Sequence, residues 1–333
     1  MEIRQVDVFD DTELHAYYEI VRAAELFERP EAPVWAEQEM MVNFRHEEEA
    51  EQQLAYGAFE GQVMVGAAWM SLPLVDNTTM TWNEVYVAPE RRRQGIGGAL
   101  VEHIVQKSQQ RGRPVLLGEA SYDFERRDDH PYRRFAEKHG FALASTEVWR
   151  RLDLPVREAQ LQAWADEAAA HHADYAVETY AGPVPERLLA SYCDVSNQLA
   201  VDAPSGDIDF EPEAMTPRLW REREAKLEEQ GRTLVNTLAL DKGGDVVGVT
   251  TLVVPEHDKP KVYQWTTQVL AGHRGHRLGL AIKAHNLLTL QRTYPDRTMI
   301  LTCNEESNGP MVDINKRMGF RPVEILGEFQ RKL

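Results

Sequence analysis

The sequence has few cysteines and no long hydrophobic run. Two cysteines, Cys193 and Cys303, occur in 333 residues, which excludes a fold built on disulfide bonds and gives no thiolate metal site. The longest nearly uncharged stretch, 63–75, contains Pro73 and is too short to cross a bilayer as a helix. The N-terminus is charged and lacks the apolar segment of a secretion signal. We therefore expect a cytoplasmic protein with no membrane partner.

Basic residues are also scarce relative to acidic ones. The chain has 37 Lys and Arg against 54 Asp and Glu, which gives a formal net charge of -17. Domains that bind nucleic acid carry a basic excess, so this balance argues against a nucleic-acid partner. A negative field attracts cationic ligands such as amines. The length favours two domains, and a hydrophobic content of 43% is enough for a core in each.

One stretch concentrates the features of an anion-binding turn. The residues from Thr81 to Val87 have strand character, and Pro89 ends the strand. Three arginines and three glycines then occur between Arg91 and Gly98, and apolar residues recur at helical spacing over 99–110. Glycine lets a backbone approach a ligand closely, and the free N–H groups at a helix start favour an anion. The stretch therefore predicts a phosphate site made by the main chain.

The run Arg92-Arg93-Gln94-Gly95-Ile96-Gly97 is neither a P-loop nor a dinucleotide fingerprint, because both need other residues after the glycines. It resembles motif A of the GCN5-related N-acetyltransferases (GNAT), in which Gln/Arg-x-x-Gly-x-Gly/Ala follows a Val-x-Val-x-Pro strand. In that family the turn binds the pyrophosphate of acetyl-CoA. The resemblance implies that the coenzyme contacts Val85, Val87, Arg92, Arg93, Gln94, Gly95, Ile96, Gly97 and Gly98.

The resemblance also groups the predicted elements into domains. Residues 1–155 follow the GNAT order β-α-α-β-β-β-α-β-α-β-β, with a helix from Gln38 to Gln53 and the closing strands within 142–154. A connector helix is expected over 156–173, and the order begins again over 174–333. We therefore expect an α/β (α+β) fold of two tandem GNAT domains, each a mixed, mostly antiparallel sheet flanked by helices.

The second half contains a second basic glycine turn that departs from the motif. If Arg274 matches Arg92, then Arg277 stands at the place of Gly95. In an alternative frame, His276 takes the arginine position. One motif residue differs in either frame, so both a blocked and a functional second coenzyme site remain open.

The resemblance nevertheless implies second-domain coenzyme contacts at Val269, Arg274, Gly275, Gly279 and Asn308. No third ligand accompanies His273 and His276 at a suitable spacing, so we expect no metal. An irregular loop is expected from Pro204 to Pro217.

Acyl transfer to an amine needs a base, because an alkyl amine of pKa about 10 is protonated at neutral pH. The resemblance implies a carboxylate on the motif strand: Glu84 is the first candidate and Glu119, on the next strand, is the second. The ordinary alternative for Glu84 is a solvent-facing strand residue. Family members place a tyrosine four residues before a Gly-Phe pair to protonate the leaving thiolate, but Ala136 and Asn315 stand there. Tyr132, one helical turn earlier on a similar face, is the candidate that substitutes, and the ordinary alternative for it is a core or surface tyrosine.

Together these residues predict an acetyl-CoA-dependent N-acetyltransferase that acts by direct transfer on the amine of a small molecule or peptide. One rival is a coenzyme-binding regulatory or scaffold protein without turnover, which the missing tyrosines support. The other is a relative that moves a different acyl group, for instance from aminoacyl-tRNA. The net charge of -17 argues against tRNA. The sequence specifies neither the acceptor nor the oligomeric state.

Overall fold

The computed structural model describes residues 1–202 and 206–333, and these form two compact units. The first unit comprises Met1–Ser145 together with Gly327–Leu333, and the second comprises Thr146–Leu326. This division differs from the predicted segments 1–155, 156–173 and 174–333. The loop expected from Pro204 to Pro217 begins in residues that lie outside the described ranges.

The first unit is a mixed sheet with helices on both faces. Its strands lie in the order β1-β2-β3-β4-β5, and every neighbouring pair is antiparallel except the parallel pair β4 and β5. Its elements are β1 (Glu2–Gln5), α1 (Asp11–Glu25), α2 (Glu37–Arg45), β2 (Glu51–Glu60), β3 (Val63–Pro73), β4 (Met80–Tyr86), α3 (Ile96–Gln110), β5 (Val115–Tyr122), α4 (Pro131–Lys138) and the start of β6 (Ala142–Asp153).

The second unit repeats this pattern. Its strands lie in the order β6-β11-β10-β9-β8-β7, with one parallel pair, β10 and β11. Its further elements are α5 (Glu158–Ala169), β7 (Ala176–Ala181), α6 (Glu186–Asn197), α7 (Leu199–Asp202), α8 (Pro217–Glu229), β8 (Arg232–Leu240), β9 (Val246–Pro255), β10 (Lys261–Val269), α9 (Leu278–Thr293), β11 (Met299–Glu305), α10 (Gly309–Met318) and β12 (Arg321–Lys332). The mixed α/β fold, with mostly antiparallel strands in each unit, is confirmed.

The end of β12 belongs to the first unit and lies beside β5 in its sheet. Leu333 N donates to Pro114 O at 2.8 Å, and Arg331 Nη1 donates to His139 O at 2.7 Å. The prediction of two strands within 142–154 was wrong, because this stretch is the single strand β6. The further strand of the first sheet comes from the C-terminus, which local sequence patterns do not reveal.

The predicted helix from Gln38 to Gln53 was too long. The helix α2 ends at Arg45, and β2 begins at Glu51. Glutamate and glutamine favour helices intrinsically, but strand pairing overrides that preference here. Residues 51–60 pair with β3 along their whole length, and 54–59 are buried.

The sheet of the first unit has an apolar cluster on each face. On one face, α3 contributes Ile96, Leu100 and Ile104; on the other, α1 contributes Leu14 and Tyr17. Burying each such large apolar side chain stabilises the fold by about 1.5–3 kcal/mol. These contacts fix the start of α3 relative to β4. Within the described ranges, no helix combines the length and apolar composition needed to cross a membrane.

Candidate functional site

A short turn joins β4 to α3 and has an unusual backbone. A single 3-10 turn, Pro89–Arg91, is followed by two residues with left-handed backbone, Arg93 at φ 65° and Gly95 at φ 86°. Gly95 caps α3, and a Cβ added to it would meet nothing within 4 Å. Successive backbone N–H groups in such a turn form an anion-binding concavity. The backbone therefore forms a concave cradle before the helix.

The amide groups of this cradle are free of protein acceptors. Among the described residues, the N–H groups from Gln94 to Gly98 make no hydrogen bond, and the first bonded amide is Ala99 N, which donates to Gly95 O at 3.1 Å. Orphan amides at a helix start carry partial positive charge and bind anions. The cradle can therefore hold a phosphate.

Two glycines of the turn also allow close packing of α4. A Cβ on Gly97 would lie 3.2 Å from Phe135 Cζ, and one on Gly98 would lie 3.1 Å from His139 Cε1. The rings of Phe135 and His139 contact each other, with centroids 4.6 Å apart. Burial lowers the pKa of His139, so this imidazole is neutral at physiological pH. Neither residue was predicted from the sequence, and the only signal was that Phe135 follows Tyr132 at a helical spacing of three residues.

Arg92 is held by its own chain. Its Nε donates to Val87 O at 3.2 Å and its Nη1 to Tyr132 Oη at 3.1 Å. Its guanidinium lies over the rings of Phe27 and Tyr132, with centroid distances of 4.5 and 5.5 Å. By contrast, Arg93 and Gln94 are exposed. The structure thus brings Tyr132 next to the turn, as an acceptor for Arg92.

The two parallel strands of the first unit separate just before the turn. The ladder between β4 and β5 covers Met80–Asn83 paired with Val115–Gly118, while β4 stays paired with β3 as far as Tyr86. The side chains of Val85 and Val87 pack against the α3 cluster. Beyond Asn83 the main chain of β4 is therefore open on the side toward β5, where a pantetheine arm can enter.

Glu84 is the first residue of β4 beyond the part that pairs with β5. It lies opposite Trp69 of β3, is partly buried, and accepts a hydrogen bond from Tyr86 Oη. Burial, assisted by the carboxylate of Glu25, raises the pKa of Glu84 to about 7, while Tyr86 and Arg29 oppose the rise. A carboxyl with this pKa is suited to accept a proton at neutral pH. Glu119, the second candidate, lies exposed on β5.

The second turn has the same backbone shape as the first. Arg274 Nε donates to Val269 O at 3.0 Å, as Arg92 does to its own valine carbonyl, and Gly275 has φ 88°. Arg277, at φ 54°, caps α9 in the left-handed region. This settles the alignment: Arg274 matches Arg92, and an arginine stands at the place of Gly95. A left-handed arginine is strained by about 1–2 kcal/mol.

The charged groups of the second turn are bound by carboxylates of the same unit. Arg274 Nη2 lies 2.7 Å from Asp202 Oδ2. Arg277 pairs with Glu167 of α5, and Arg317 of α10 also binds Glu167. The turn amides over 275–280 have no hydrogen-bond acceptor among the described residues. The second cradle therefore keeps its shape, but the arginines beside it are bound by carboxylates.

The two turn histidines have partners other than a metal. His273 Nδ1 lies 3.1 Å from Tyr175 Oη, and His276 Nδ1 lies 3.3 Å from His171 O. In the described part of the chain, no group of three or more His, Cys, Asp or Glu side chains is arranged to hold a metal ion.

The remaining predicted residues lie near the start of α10. Asn308 caps that helix without a side-chain hydrogen bond to it. A Cβ on Gly279 would lie 3.2 Å from Ile314 Cδ1, the counterpart of the packing around Gly97. Asn315 is fully buried and donates from Nδ2 to Asn304 Oδ1 at 2.6 Å. It has no ionisable proton to give to a thiolate.

Comparisons with known proteins agree with this geometry. Residues 14–141 match the model of the Acetyltransferase (GNAT) family. No curated protein sequence matches the chain. The structure is similar to a tandem GNAT protein from the clavulanic acid biosynthesis pathway, with a TM-score of 0.78, 21% identity and coverage of 99% of this chain and 98% of that one.

Two further solved structures share the fold. A GCN5-related N-acetyltransferase from Sphaerobacter thermophilus gives a TM-score of 0.65 at 14% identity, covering 99% of this chain and 95% of that one. Saccharomyces cerevisiae N-myristoyltransferase with bound myristoyl-CoA gives 0.62 at 10% identity, covering 99% and 78%. The matched segment belongs to the GNAT acetyltransferase family. The whole chain has the fold of a tandem GNAT protein, and the family assignment supports acyl transfer from a coenzyme A thioester.

Proposed function

We propose that the protein is an N-acetyltransferase that transfers the acetyl group of acetyl-CoA directly to the amine of a small molecule or peptide. The observation that carries this is the juxtaposition of two features of the first unit. Free amides over 94–98 form an anion cradle, and Glu84 lies where β4 and β5 separate. A cradle for the diphosphate and a base beside the open strand are what thioester aminolysis requires.

The coenzyme is bound through main-chain amides of Gln94, Gly95, Ile96, Gly97 and Gly98, with Arg93 free to add a charge-assisted hydrogen bond. The side chain of Arg92 supports the turn instead, because its donors already have acceptors. The pantetheine arm lies along Val85 and Val87, whose strand edge is open. A main-chain N–H on that edge polarises the thioester carbonyl.

Glu84 takes the proton of the amine as the nitrogen attacks the carbonyl carbon, and the coenzyme leaves as a thiolate. Tyr132 supplies a hydroxyl next to the turn, which is the candidate donor of a proton to that thiolate. The positively charged end of α3 stabilises the departing sulfur. No cofactor beyond the acyl donor enters these steps.

The donor is assigned to acetyl-CoA because residues 14–141 match the acetyltransferase family model, although the myristoyltransferase shares the fold. We place the enzyme in the cytoplasm, where its two cysteine thiols, which form no disulfide, would stay reduced. In this assignment the first turn binds the coenzyme, and the second turn, which is bordered by Glu167 and Asp202, takes no part in acyl transfer.

The test measures turnover of acetyl-CoA with a panel of primary amines through the release of free coenzyme A. Myristoyl-CoA is included as a competing donor. The proposal expects turnover with an amine and a fall of about 100-fold or more in Glu84→Gln at unchanged coenzyme affinity. Equal turnover in Glu84→Gln would remove Glu84 as the base. A preference for the long acyl chain would replace the donor.

One observation favours a second candidate, a coenzyme-binding regulatory or scaffold protein. The family tyrosine is replaced by Ala136 and Asn315, and Asn315 is committed to Asn304. Tight coenzyme binding without turnover across the amine panel would favour this candidate over the enzyme.

A further inference from the structure

Glu84 has a neighbour on its own strand that the motif does not include. Tyr86 lies two residues further along β4, so its side chain extends on the same face of the sheet. Its Oη donates a hydrogen bond to Glu84 Oε2. Its ring packs against the apolar cluster beneath α1, which fixes the direction of the hydroxyl. Neither residue is widely exposed.

Other titratable groups face Glu84 from α1 and the segment after it. Glu25 and Arg29 act on Glu84 with opposite signs, and they pair with each other at 2.7 Å. Tyr17 packs in the same cluster and is 1% exposed, and its Oη has no hydrogen-bond partner among the described residues. The donor that the structure gives to the carboxylate is therefore the hydroxyl of Tyr86.

We propose that Tyr86 is a positioning residue for acyl transfer, because its hydroxyl favours the carboxylate form of Glu84 and holds one carboxylate oxygen in place. The proposal rests on the proposed function, in which Glu84 is the base. During the reaction the N–C bond forms, the C–S bond of the thioester breaks, and the amine proton moves to Glu84. Tyr86 keeps its own proton, since burial and the neighbouring carboxylates raise its pKa well above the ordinary value.

Two opposing effects decide the charge of Glu84. Burial favours the protonated form, whereas donation from Tyr86 favours the carboxylate. A hydrogen bond to a buried charge changes such an equilibrium by about tenfold or more. Without the tyrosine hydroxyl, Glu84 would bind its proton more tightly, and less base would be present at neutral pH.

The direct experiment is a carboxyl-carbon NMR titration of the full-length protein labelled at its glutamates. The Glu84 signal is identified by its loss in Glu84→Gln. Tyr86→Phe is expected to move the Glu84 midpoint about one pH unit higher. An unchanged midpoint in Tyr86→Phe would overturn the proposal.

Two matched variants control for the loss of a hydroxyl. Tyr180 donates to Glu178 at the same two-residue spacing on β7, and Tyr17 shares the cluster of Tyr86 without a hydrogen bond. Tyr180→Phe and Tyr17→Phe are both expected to leave the Glu84 midpoint in place. An equal shift in Tyr17→Phe would assign the effect to repacking and overturn the role of Tyr86.

Kinetics separate this proposal from the proposed function. With an arylamine acceptor that is neutral across the pH range, the acid limb of kcat/KM in Tyr86→Phe should move upward with the NMR midpoint, and the rate should recover above it. An equal fall in kcat/KM of Tyr86→Phe at every pH would contradict a positioning role for Tyr86. Wild-type turnover in Glu84→Gln contradicts the proposed base itself, whereas low turnover there with an unshifted Tyr86→Phe profile removes the positioning role alone.

Discussion

The two glycine turns have the same backbone and different electrostatic surroundings. In each, an arginine Nε donates to the carbonyl of a valine at the strand end, and a left-handed residue caps the helix. The first turn places Arg92 against a carbonyl and a hydroxyl and has Gly95 at the cap. The second places Arg274 against Asp202, and its cap is Arg277.

The difference shows that turn shape alone does not define a coenzyme site. Arginines that are already bound by carboxylates are less available to an anion. Asp202 binds Arg274 and Glu167 binds Arg277, so the second turn offers a diphosphate fewer free charges. We infer that the first turn is the coenzyme site and that the second is retained for its structure.

The largest effect is expected at the cap of the first turn. Gly95→Glu places a carboxylate in the anion cradle and should weaken acetyl-CoA binding by about 100-fold or more, as measured by calorimetry. The matched change in the second turn, Arg277→Glu, should leave that affinity unchanged. Undiminished affinity in Gly95→Glu would place the coenzyme elsewhere.

The helices that follow the two turns differ at one position, and a substitution there is expected to have a smaller effect. The sixth residue of α3 is Val101, and the sixth residue of α9 is the buried Lys283, whose Nζ donates to Gln264 Oε1 at 3.1 Å. Burial lowers the pKa of Lys283 from 10.5 to about 7. Between these pH values the unfolded chain holds a proton that the folded chain has lost, so the free energy of unfolding rises with pH across that window. Below about pH 7 the buried lysine is charged, and the whole free-energy cost of burying its charge lowers the stability.

Lys283→Met should therefore raise the free energy of unfolding by about 1–3 kcal/mol at pH 6, and by less at pH 9. Urea unfolding at the two pH values measures the difference. The exposed Lys242, changed to Gln, should show no such pH dependence. An equal gain at both pH values would mean that the lysine charge does not matter.

The smallest effect concerns the carboxylate beside the second turn. Glu167→Gln removes the partner of Arg277 and Arg317, and a second acetyl-CoA site should strengthen by about fivefold, because exposed ion pairs are worth little. The control is Glu158→Gln, which lies on the same helix as Glu167 and breaks the ion pair of Glu158 with Arg292 of α9. Similar isotherms for the two variants would show that Glu167 does not restrain the second turn.

The local parts of the site could be predicted from the sequence. The spacing from Val85 to Gly98 determines a strand, a turn and a helix start within one short segment, so residue types there determine the backbone. The resemblance to the GNAT family gave Glu84 as the candidate base on the motif strand, and the structure places it at the end of the β4–β5 ladder.

Features that depend on distant segments could not be predicted in this way. Glu167 and Arg277 are separated by 110 positions, and the end of β12, which stops at Lys332, joins the unit that begins at Met1. The prediction that α2 reaches Gln53 was wrong for the same reason. Pairing with β3 determines the conformation of residues 51–60. Spacing along the chain carries no signal for such contacts.

The central claim is tested most directly by calorimetric titration of the full-length chain with acetyl-CoA, with the number of sites as the result. The account predicts one tight site per chain. Two sites of equal affinity would contradict it, since they would show that the acidic groups around Arg274 and Arg277 leave the second turn as able to hold a diphosphate as the first.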